Sequence, residues 1–218
     1  LGLDLSLWRG RFTLTVDAYS KKTRDLLQSK NVAISTGIAS MYVNEGVIRN
    51  DGLEITVEGV PVKRGSLEWI VGGNISFNRN TVVNIGSTGD RSKLFLDWTS
   101  PARDCRYFYG SAMQTSGDTN PLNIFIEGQP MGLFYGYKMD GIVQTGETDV
   151  PGFSSDEKRK PGQIKYKDLN GNGYIDVGDR TIIGNPLPLF TYGFNTSLSY
   201  RGFTLAVAFN GAYGFDIF

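Results

Sequence analysis

The sequence has 218 residues, with 22 Lys and Arg against 22 Asp and Glu, 28 Gly, one Cys and no His. A chain of this length can bury a real core, and zero net charge argues against a nucleic-acid binder, which would carry a basic excess. Without His, neither a Ser-His-Asp centre nor a His/Cys zinc site can form within the chain, and the single Cys105 excludes an intrachain disulfide. No apolar run is long enough for a transmembrane helix, and the first residues read as a strand instead of a signal peptide.

Six segments alternate between apolar and other residues with a period of two, which is typical of β-strands. In the last segment, for example, Phe203, Leu205 and Val207 alternate with Thr204 and Ala206. The predicted antiparallel strands lie near residues 2–8, 11–27, 47–60, 66–84, 190–200 and 203–214. Tight turns at Arg9-Gly10, Lys63-Arg64-Gly65 and Arg201-Gly202 join them into three hairpins.

The connections on the other side of these hairpins are long, from about Gln28 to Gly46 and from about Gly86 to Pro188. Short turns at one rim, long loops at the other and aromatic residues near the strand ends are typical of an outer-membrane barrel. We therefore predict an all-β fold: an antiparallel up-and-down transmembrane β-barrel segment of about six strands. Residues 1–85 and 189–218 would supply the barrel strands, and residues 86–188 an extracellular loop region. A soluble antiparallel sandwich, which also needs one apolar face, is the alternative.

The alternation also assigns a direction to each face of the predicted strands. The outward, lipid-facing residues are predicted to be Leu14, Val16, Phe194, Leu198, Leu205 and Val207. The inward residues are predicted to be Thr15, Asn195, Ser197 and Thr204. The small polar residues of the second set suit a solvated lumen.

The segment from Asp168 to Asp179 has the spacing of a twelve-residue calcium-binding loop. The side-chain oxygens are those of Asp168, Asn170, Asn172, Asp176 and Asp179, at positions 1, 3, 5, 9 and 12 of the loop. The backbone carbonyl of Tyr174 lies at position 7. The segment departs from the EF-hand because Asp179 replaces a bidentate Glu and because flanking helices are missing. The sequence thus predicts a Ca²⁺ site, with a metal-free loop closed by Asx-turns as the alternative.

Aromatic residues cluster in the loop region, and they are Phe95, Trp98, Tyr107, Phe108, Tyr109, Phe134, Tyr135 and Tyr137. Aromatic faces can stack on sugar rings or hold peptide side chains, but packing of the loops or an upper membrane girdle is the more frequent role. Carboxylate pairs such as Glu147 and Asp149 lie among Gly, Thr and Ser, where a solvated surface is expected. No pattern predicts a catalytic centre, so we expect a protein that is not an enzyme.

Several sequence motifs together cover nearly the whole chain, and they lie at Asp17–Leu27, Asn50–Glu54, Gly128–Ile142, Lys160–Asp176, Asp179–Pro188 and Tyr192–Asn195. These motifs resemble those of SusC/RagA-type TonB-dependent transporters. The resemblance implies a late portion of a 22-stranded barrel. It also implies that the N-terminal plug, the TonB-contacting segment and the closing strands are absent from this chain, which would then be a fragment.

The resemblance further implies a function, a location and partners. The chain would form part of the barrel wall and extracellular loops of a TonB-dependent nutrient importer in the cell outer membrane, which takes up oligosaccharide or peptide. The partners would be a SusD-like surface lipoprotein over the long loops, a TonB complex acting through the absent N-terminal part, and outer-membrane lipids. From the residues alone, the alternative is a soluble calcium-stabilised carbohydrate-binding β-sandwich, which would fold without detergent.

Overall fold

A computed structural model describes residues 1–110, 112–115 and 118–217. Within these residues the chain forms seventeen β-strands and three short 3₁₀ helices. The strands are β1 (Gly2–Leu7), β2 (Phe12–Arg24), β3 (Leu27–Asn31), β4 (Ser40–Asn44), β5 (Val47–Arg64), β6 (Leu67–Asn84), β7 (Asp90–Leu94), β8 (Arg103–Tyr109), β9 (Ala112–Thr115), β10 (Asp118–Pro121), β11 (Asn123–Ile126), β12 (Leu133–Tyr137), β13 (Met139–Ile142), β14 (Ile164–Tyr166), β15 (Arg180–Gly184), β16 (Phe190–Tyr200) and β17 (Phe203–Tyr213). The 3₁₀ helices are Ile34–Thr36, Gly86–Thr88 and Val177–Asp179.

The six predicted strands are confirmed, and they form one six-stranded sheet in the order β1-β2-β5-β6-β16-β17. The β16–β17 hairpin is antiparallel without a register shift, from the pair Phe190 and Tyr213 to the pair Tyr200 and Phe203. Strand β16 also pairs antiparallel with β6. Strands that are neighbours in sequence are therefore neighbours in the sheet wherever a tight turn joins them.

The tight turn between β16 and β17 shows why these hairpins close at Arg-Gly. Arg201 and Gly202 both have positive φ, at 47° and 85°. Two central residues with positive φ make a type I′ turn, whose twist matches that of the flanking strands. Glycine adopts this conformation without steric cost, so the second position of the turn determines the register of the hairpin.

The strand expected over residues 11–27 is shorter in the structure and ends at Arg24. Asp25 has a φ of 57°, a left-handed conformation that does not continue an extended strand. A separate strand, β3, begins at Leu27 and pairs antiparallel with β4. This first long connection is therefore a hairpin with its own ladder.

The second long connection contains a five-stranded sheet in the order β15-β12-β11-β8-β7. Its core consists of Leu94, Ile124, Ile126, Leu133 and Tyr135, all of them buried. Two-stranded sheets, β9 with β10 and β13 with β14, complete the ladders of this region. The sequence predicted loops here, and most of these strands are too short, at three to five residues, for a period of two to be visible.

The chain divides into two compact units. Unit 1 consists of residues 1–24, 48–81 and 187–215, and it contains most of the six-stranded sheet. Unit 2 consists of residues 25–47, 82–186 and 216–218. The division at residues 86 and 188 that the sequence suggested stays a prediction. In the part of the chain that the structure describes, no helix is both long and apolar enough to cross a membrane.

Candidate functional site

One face of the six-stranded sheet is apolar over both outer hairpins. Directly paired residues share a face, and Leu198 pairs with Leu205 on one side and with Trp69 on the other. In the first hairpin, Leu14 pairs with Leu5. Leu205 is 66 % exposed, although a side chain of this size normally avoids water. This row of exposed apolar side chains, which we call the apolar face, is the first candidate site.

The opposite face of the same strands is small and polar. Asn195 pairs with Ala208 and with Gly72, and Ser199 pairs with Thr204. The hydroxyl oxygens of Ser199 and Thr204 lie 2.9 Å apart, within hydrogen-bond distance. The predicted alternation within each outer hairpin is therefore present in the pairing. Which face meets lipid and which meets a lumen stays a prediction of the sequence.

Aromatic rings cross the apolar face in a row at the end opposite the tight turns. The Phe190 ring lies between Phe77 and Tyr213 on the neighbouring strands, with centroid distances of 5.8 and 5.2 Å. At the other end, Trp8 and Phe12 pack edge to face at 5.9 Å. Aromatic rings thus lie at both ends of the apolar face, which is the arrangement that the girdles of a membrane barrel have.

One polar group on the apolar face is paired across strands. The indole Nε1–H of Trp69 donates to the hydroxyl of Thr196 at 2.8 Å, and the Thr196 hydroxyl lies 3.2 Å from the carbonyl oxygen of Ile70. An unpaired indole N–H is costly in an apolar environment, and the threonine removes this cost. Thr196, which interrupts the apolar pattern of β16, is therefore the hydrogen-bond partner of the Trp69 indole.

The predicted calcium loop forms a compact network in which its first carboxylate accepts backbone N–H groups. Asp168 Oδ1 accepts from Gly171 at 2.7 Å and from Asn172 at 3.3 Å, and Oδ2 accepts from Gly173 at 2.8 Å. Asn170 closes a further turn, because its Oδ1 accepts the Asn172 N–H at 3.0 Å. These are the Asx-turns expected where a short polar side chain folds back on its own backbone.

The last carboxylate of the loop is fully buried. Asp179 Oδ1 accepts the N–H groups of Leu169 and Asn170 at 2.8 and 3.1 Å, and Oδ2 accepts that of Asp176 at 2.8 Å. Asp176 and Asp179 together form a capping box at the start of the Val177–Asp179 helix. Asp179 therefore links both ends of the loop through three backbone donors.

The structure brings the side chains of the predicted calcium loop together in one hydrogen-bond network. Asn170 and Asn172 donate to the two oxygens of Asp176, at 3.2 and 2.8 Å, which orients their amides. Among the described residues, no group of three or more Asp, Glu, Cys or His is arranged to hold a metal. The carbonyl of Tyr174 and the asparagine oxygens are further oxygen donors in the same loop. Calcium binding here stays a prediction.

Most of the predicted aromatic cluster packs the loop region internally. Tyr135 is buried in the core of the five-stranded sheet, and its ring lies 5.8 Å from that of Tyr109. The rings of Phe108 and Phe125 stack at 4.5 Å. Burial raises the pKa of Tyr107 to about 12. These rings pack against one another within the five-stranded sheet.

An ion pair anchors the buried sheet of unit 2 to its neighbouring turn. Arg106 Nη1 lies 3.2 Å from Glu127 Oε1, and the other guanidinium nitrogen donates to the carbonyl of Gly86. Glu127 also accepts the backbone N–H of Ile85 at 3.0 Å. The partly buried Arg106 is thus a positioning group, a role that sequence patterning did not reveal because its partners lie about 20 residues away along the chain.

Sequence comparison places the whole chain beside a segment of larger receptors. TonB-dependent receptor P3 of Formosa agariphila is 33% identical over 217 residues, which are 100% of this chain and 20% of that protein. TonB-dependent receptor SusC of Bacteroides thetaiotaomicron is 27% identical over 203 residues, 93% of this chain and 18% of that protein. The chain thus spans about one fifth of the length of the curated relatives it matches. No protein-family model matches it.

Structural comparison shows the same fold in a solved transporter. The RagAB peptide importer in its open-open state superposes with a TM-score of 0.68 at 18% identity, over 98% of this chain and 20% of that chain. Its closed-closed state gives a TM-score of 0.63 at 19% identity. The fold of the six-stranded sheet and its long connections is therefore shared with a segment of that importer.

Proposed function

We propose that the chain forms barrel wall and extracellular loops of an outer-membrane nutrient importer. The proposal rests on the similarity of its whole length to one segment of the SusC/RagA-type TonB-dependent receptors. Unit 1 supplies about six membrane strands, and unit 2 supplies the folded connections at the outer rim. The complete receptor would be driven through a TonB complex that contacts a part outside this chain.

The distribution of buried apolar side chains carries this proposal. Ten hydrophobic side chains are buried in the part of the chain that the structure describes, and all of them belong to unit 2. Unit 1 leaves its apolar face exposed instead, for example at Phe203, Leu205 and Phe209. A sheet that a second sheet covered would bury this face, so a soluble sandwich is not favoured. Hydrocarbon is the environment in which such a face is stable.

The substrate that we propose is an oligosaccharide or a peptide. RagAB, which shares the fold, is a peptide importer. The unit 2 ring of Tyr42 is exposed and offers an apolar face that suits both a sugar ring and an apolar peptide side chain. Uptake of a labelled oligosaccharide mixture and a labelled peptide mixture by cells with the complete receptor would separate the two substrates. Uptake of neither mixture above that of receptor-deleted cells contradicts the proposal.

We propose a SusD-like surface lipoprotein as the partner of the region 86–188. Ile142 and Ile164, a cross-strand pair of the β13–β14 hairpin, leave 49 % and 43 % of their surfaces exposed. Apolar side chains in such a position suit a protein partner. The double variant Ile142→Asp with Ile164→Asp should reduce co-purification of the lipoprotein, whereas the exposed Ser155→Asp should not. Full recovery of the complex with the double variant would contradict docking at this hairpin.

The membrane location has a direct test on the complete receptor. We expect it in the outer-membrane fraction, released only by detergent, because the apolar face needs a lipid or detergent environment. A receptor that remains folded and soluble in buffer after its release from the cell envelope would contradict the proposed function. Solubility without detergent is also what the sandwich alternative predicts.

A further inference from the structure

A notch lies on the sheet of unit 1 next to the tight turns. It measures ≈ 320 Å³ and is lined mainly by apolar side chains, at Trp8, Phe12, Val57, Val60, Pro61 and Val71, together with Gly59 and Arg11. This volume lies in the range of small-ligand pockets, about 300–1,000 Å³. The notch is therefore large enough for part of a ligand, and its walls suit a hydrocarbon chain.

The missing side chain of Gly59 opens the notch. The backbone does not require glycine at this position, because Gly59 is not among the glycines with positive φ. Space does not require it either, since an added Cβ would meet nothing closer than the Arg11 carbonyl oxygen at 3.7 Å and the Phe12 and Val71 side chains at 3.9 Å. Glycine weakens a strand interior and often marks a site where a ligand approaches closely. Its presence in β5 is thus unexplained by the fold alone.

The rim beside the notch is basic. The three tight turns and their flanks, residues 8–12, 62–68 and 200–203, contain Arg9, Arg11, Lys63, Arg64 and Arg201 against a single acid, Glu68. Glu68 is paired with Lys63 at 2.6 Å, and Arg201 lies over the ring of Tyr200 at 5.2 Å. In the described residues Arg11 makes no ion pair. Among the residues that line the notch there is thus one basic residue, Arg11, without an ion pair in the described part of the chain.

We propose that the notch and Arg11 bind one anionic phospholipid, with an acyl chain against Gly59 and the phosphate at the Arg11 guanidinium. This inference rests on the proposed membrane location of unit 1. Short turns of outer-membrane barrels face the periplasm, where the leaflet consists of phospholipid. Guanidinium groups bind phosphate through paired, charge-assisted hydrogen bonds, and Trp8 is of the type that lies at the headgroup level. The surplus positive charge of the rim selects anionic over zwitterionic lipid.

The test uses the complete receptor, purified in non-ionic detergent and titrated with phosphatidylglycerol and with phosphatidylcholine. Native mass spectrometry counts the lipids retained. Gly59→Val fills the notch, and Arg11→Gln removes its cation while keeping a side chain of similar length. Gly73→Val is the matched control, because Gly73 pairs with Phe194 on the apolar face, lies outside the notch and has space for a Cβ, with its nearest contact at 3.5 Å.

We expect the unaltered receptor and Gly73→Val to retain phosphatidylglycerol in preference to phosphatidylcholine. Both Gly59→Val and Arg11→Gln should lower retention of phosphatidylglycerol about tenfold. Gly59→Val fills the space for the acyl chain, and Arg11→Gln removes a charged hydrogen bond to the phosphate. Gly59→Val should fold at least as well as the unaltered chain, since valine favours strands.

Equal retention of the two lipids by the unaltered receptor would overturn the lipid site, as would undiminished retention by Gly59→Val. If the unaltered receptor is a dimer and Gly59→Val makes it a monomer without changing lipid retention, the notch is a dimer contact. That result would also overturn the lipid site. A receptor that leaves the membrane fraction without detergent would overturn both this inference and the proposed function. A receptor that stays in the membrane but does not distinguish the lipids overturns the lipid site alone.

Discussion

The two units of this chain are both antiparallel β structure, yet they place their apolar residues in opposite ways. Unit 2 buries Ile124 and Ile126 completely inside a small five-stranded sheet. Unit 1 has the longer strands, but the structure describes no buried hydrophobic side chain in it. Leu205 and Phe203 project from its sheet with 66 % and 84 % of their surfaces exposed.

This difference indicates that the two units are built for different environments. In water, burial of apolar surface drives folding, and unit 2 follows that rule. In a bilayer, closed backbone hydrogen bonding is the strict requirement, and apolar side chains face outward. Unit 1 has the regular ladders and the outward apolar side chains of the second case. One chain therefore combines a buried core in unit 2 with an exposed apolar face in unit 1, as the proposed membrane location of unit 1 requires.

The largest loss of stability is expected for a substitution in the core of unit 2. Ile124→Ala should destabilise unit 2 by about 2–5 kcal/mol, because a cavity replaces a fully buried side chain. Ile164→Ala, at a site 43 % exposed, is the control and should change stability by less than about 0.5 kcal/mol. Amide hydrogen exchange of β8, β11 and β12 in the complete receptor measures both. Similar effects of the two variants would show that unit 2 has no core of its own.

The free energy of unfolding should fall when a charge is placed on the apolar face of unit 1. Leu205→Arg should cost about 2–4 kcal/mol near the middle of the bilayer, whereas Thr204→Arg, on the polar face, should be tolerated. The two residues are adjacent in β17 and differ in the face they occupy. Denaturant unfolding of the complete receptor in lipid vesicles gives the two free energies. Equal costs would mean that the assignment of the faces is wrong.

The sequence predicted unit 1 better than unit 2 for a physical reason. A period of two over the 11 residues of β16 identifies the strand, and the Arg201-Gly202 turn fixes its partner. Strand β11 has only 4 residues, and its residues pair with residues of β8 that lie 15 to 19 positions earlier in the chain. Neither its length nor its partner is visible in local alternation. The core around Ile124 and the positioning role of Arg106 were therefore missed.

The prediction of a calcium loop rests on the spacing of its residues, which is local, and the same spacing suits both an ion and backbone donors. The carboxylates of Asp168, Asp176 and Asp179 lie in one loop and repel each other unless a cation or N–H groups compensate. In the structure, backbone N–H groups point at all three. An ion would bind in addition to these hydrogen bonds, through the remaining lone pairs of the oxygens.

Calcium should stabilise residues 160–185 by about 2.7 kcal/mol at a concentration 100 times its dissociation constant. Asp168→Asn should abolish calcium uptake, because it removes a charge. Its amide oxygen can still accept the Gly171 and Asn172 N–H groups, whereas the acceptor for Gly173 is lost. Asp168→Ala should in addition loosen the loop without calcium and leave the strands of unit 1 unchanged. Calorimetric titration and protease resistance in chelator measure these effects. No calcium uptake, with unchanged protease resistance in chelator, would leave the Asx-turn network as the whole explanation.

The smallest expected effect concerns pH and a single turn of unit 2. Asp97 Oδ1 accepts the Thr99 hydroxyl at 2.6 Å and the N–H groups of Thr99 and Ser100 at 2.7 and 2.8 Å. The Thr99 hydrogen bonds, with those of Ser100, lower the pKa of Asp97 from 3.8 to about 2. A lowered pKa means that the ionised form stabilises the turn, so its contribution is complete above about pH 4 and is lost as the pH falls towards 2.

Protection of the Thr99 and Ser100 amides, corrected for the intrinsic exchange rate, should therefore decline over this pH range in the complete receptor. Thr99→Ala removes the hydroxyl donor, so it should raise the pKa of Asp97 and move the decline to higher pH. The amide of Ile126, which lies in the buried sheet, serves as the internal control because no titrating carboxylate caps it. If protection at Ile126 fell together with that at Thr99, the acid would be unfolding unit 2 as a whole. The turn at Asp97 would then not titrate separately. The acid stability of this region would be determined by the buried core and not by the Asp97 hydrogen bonds.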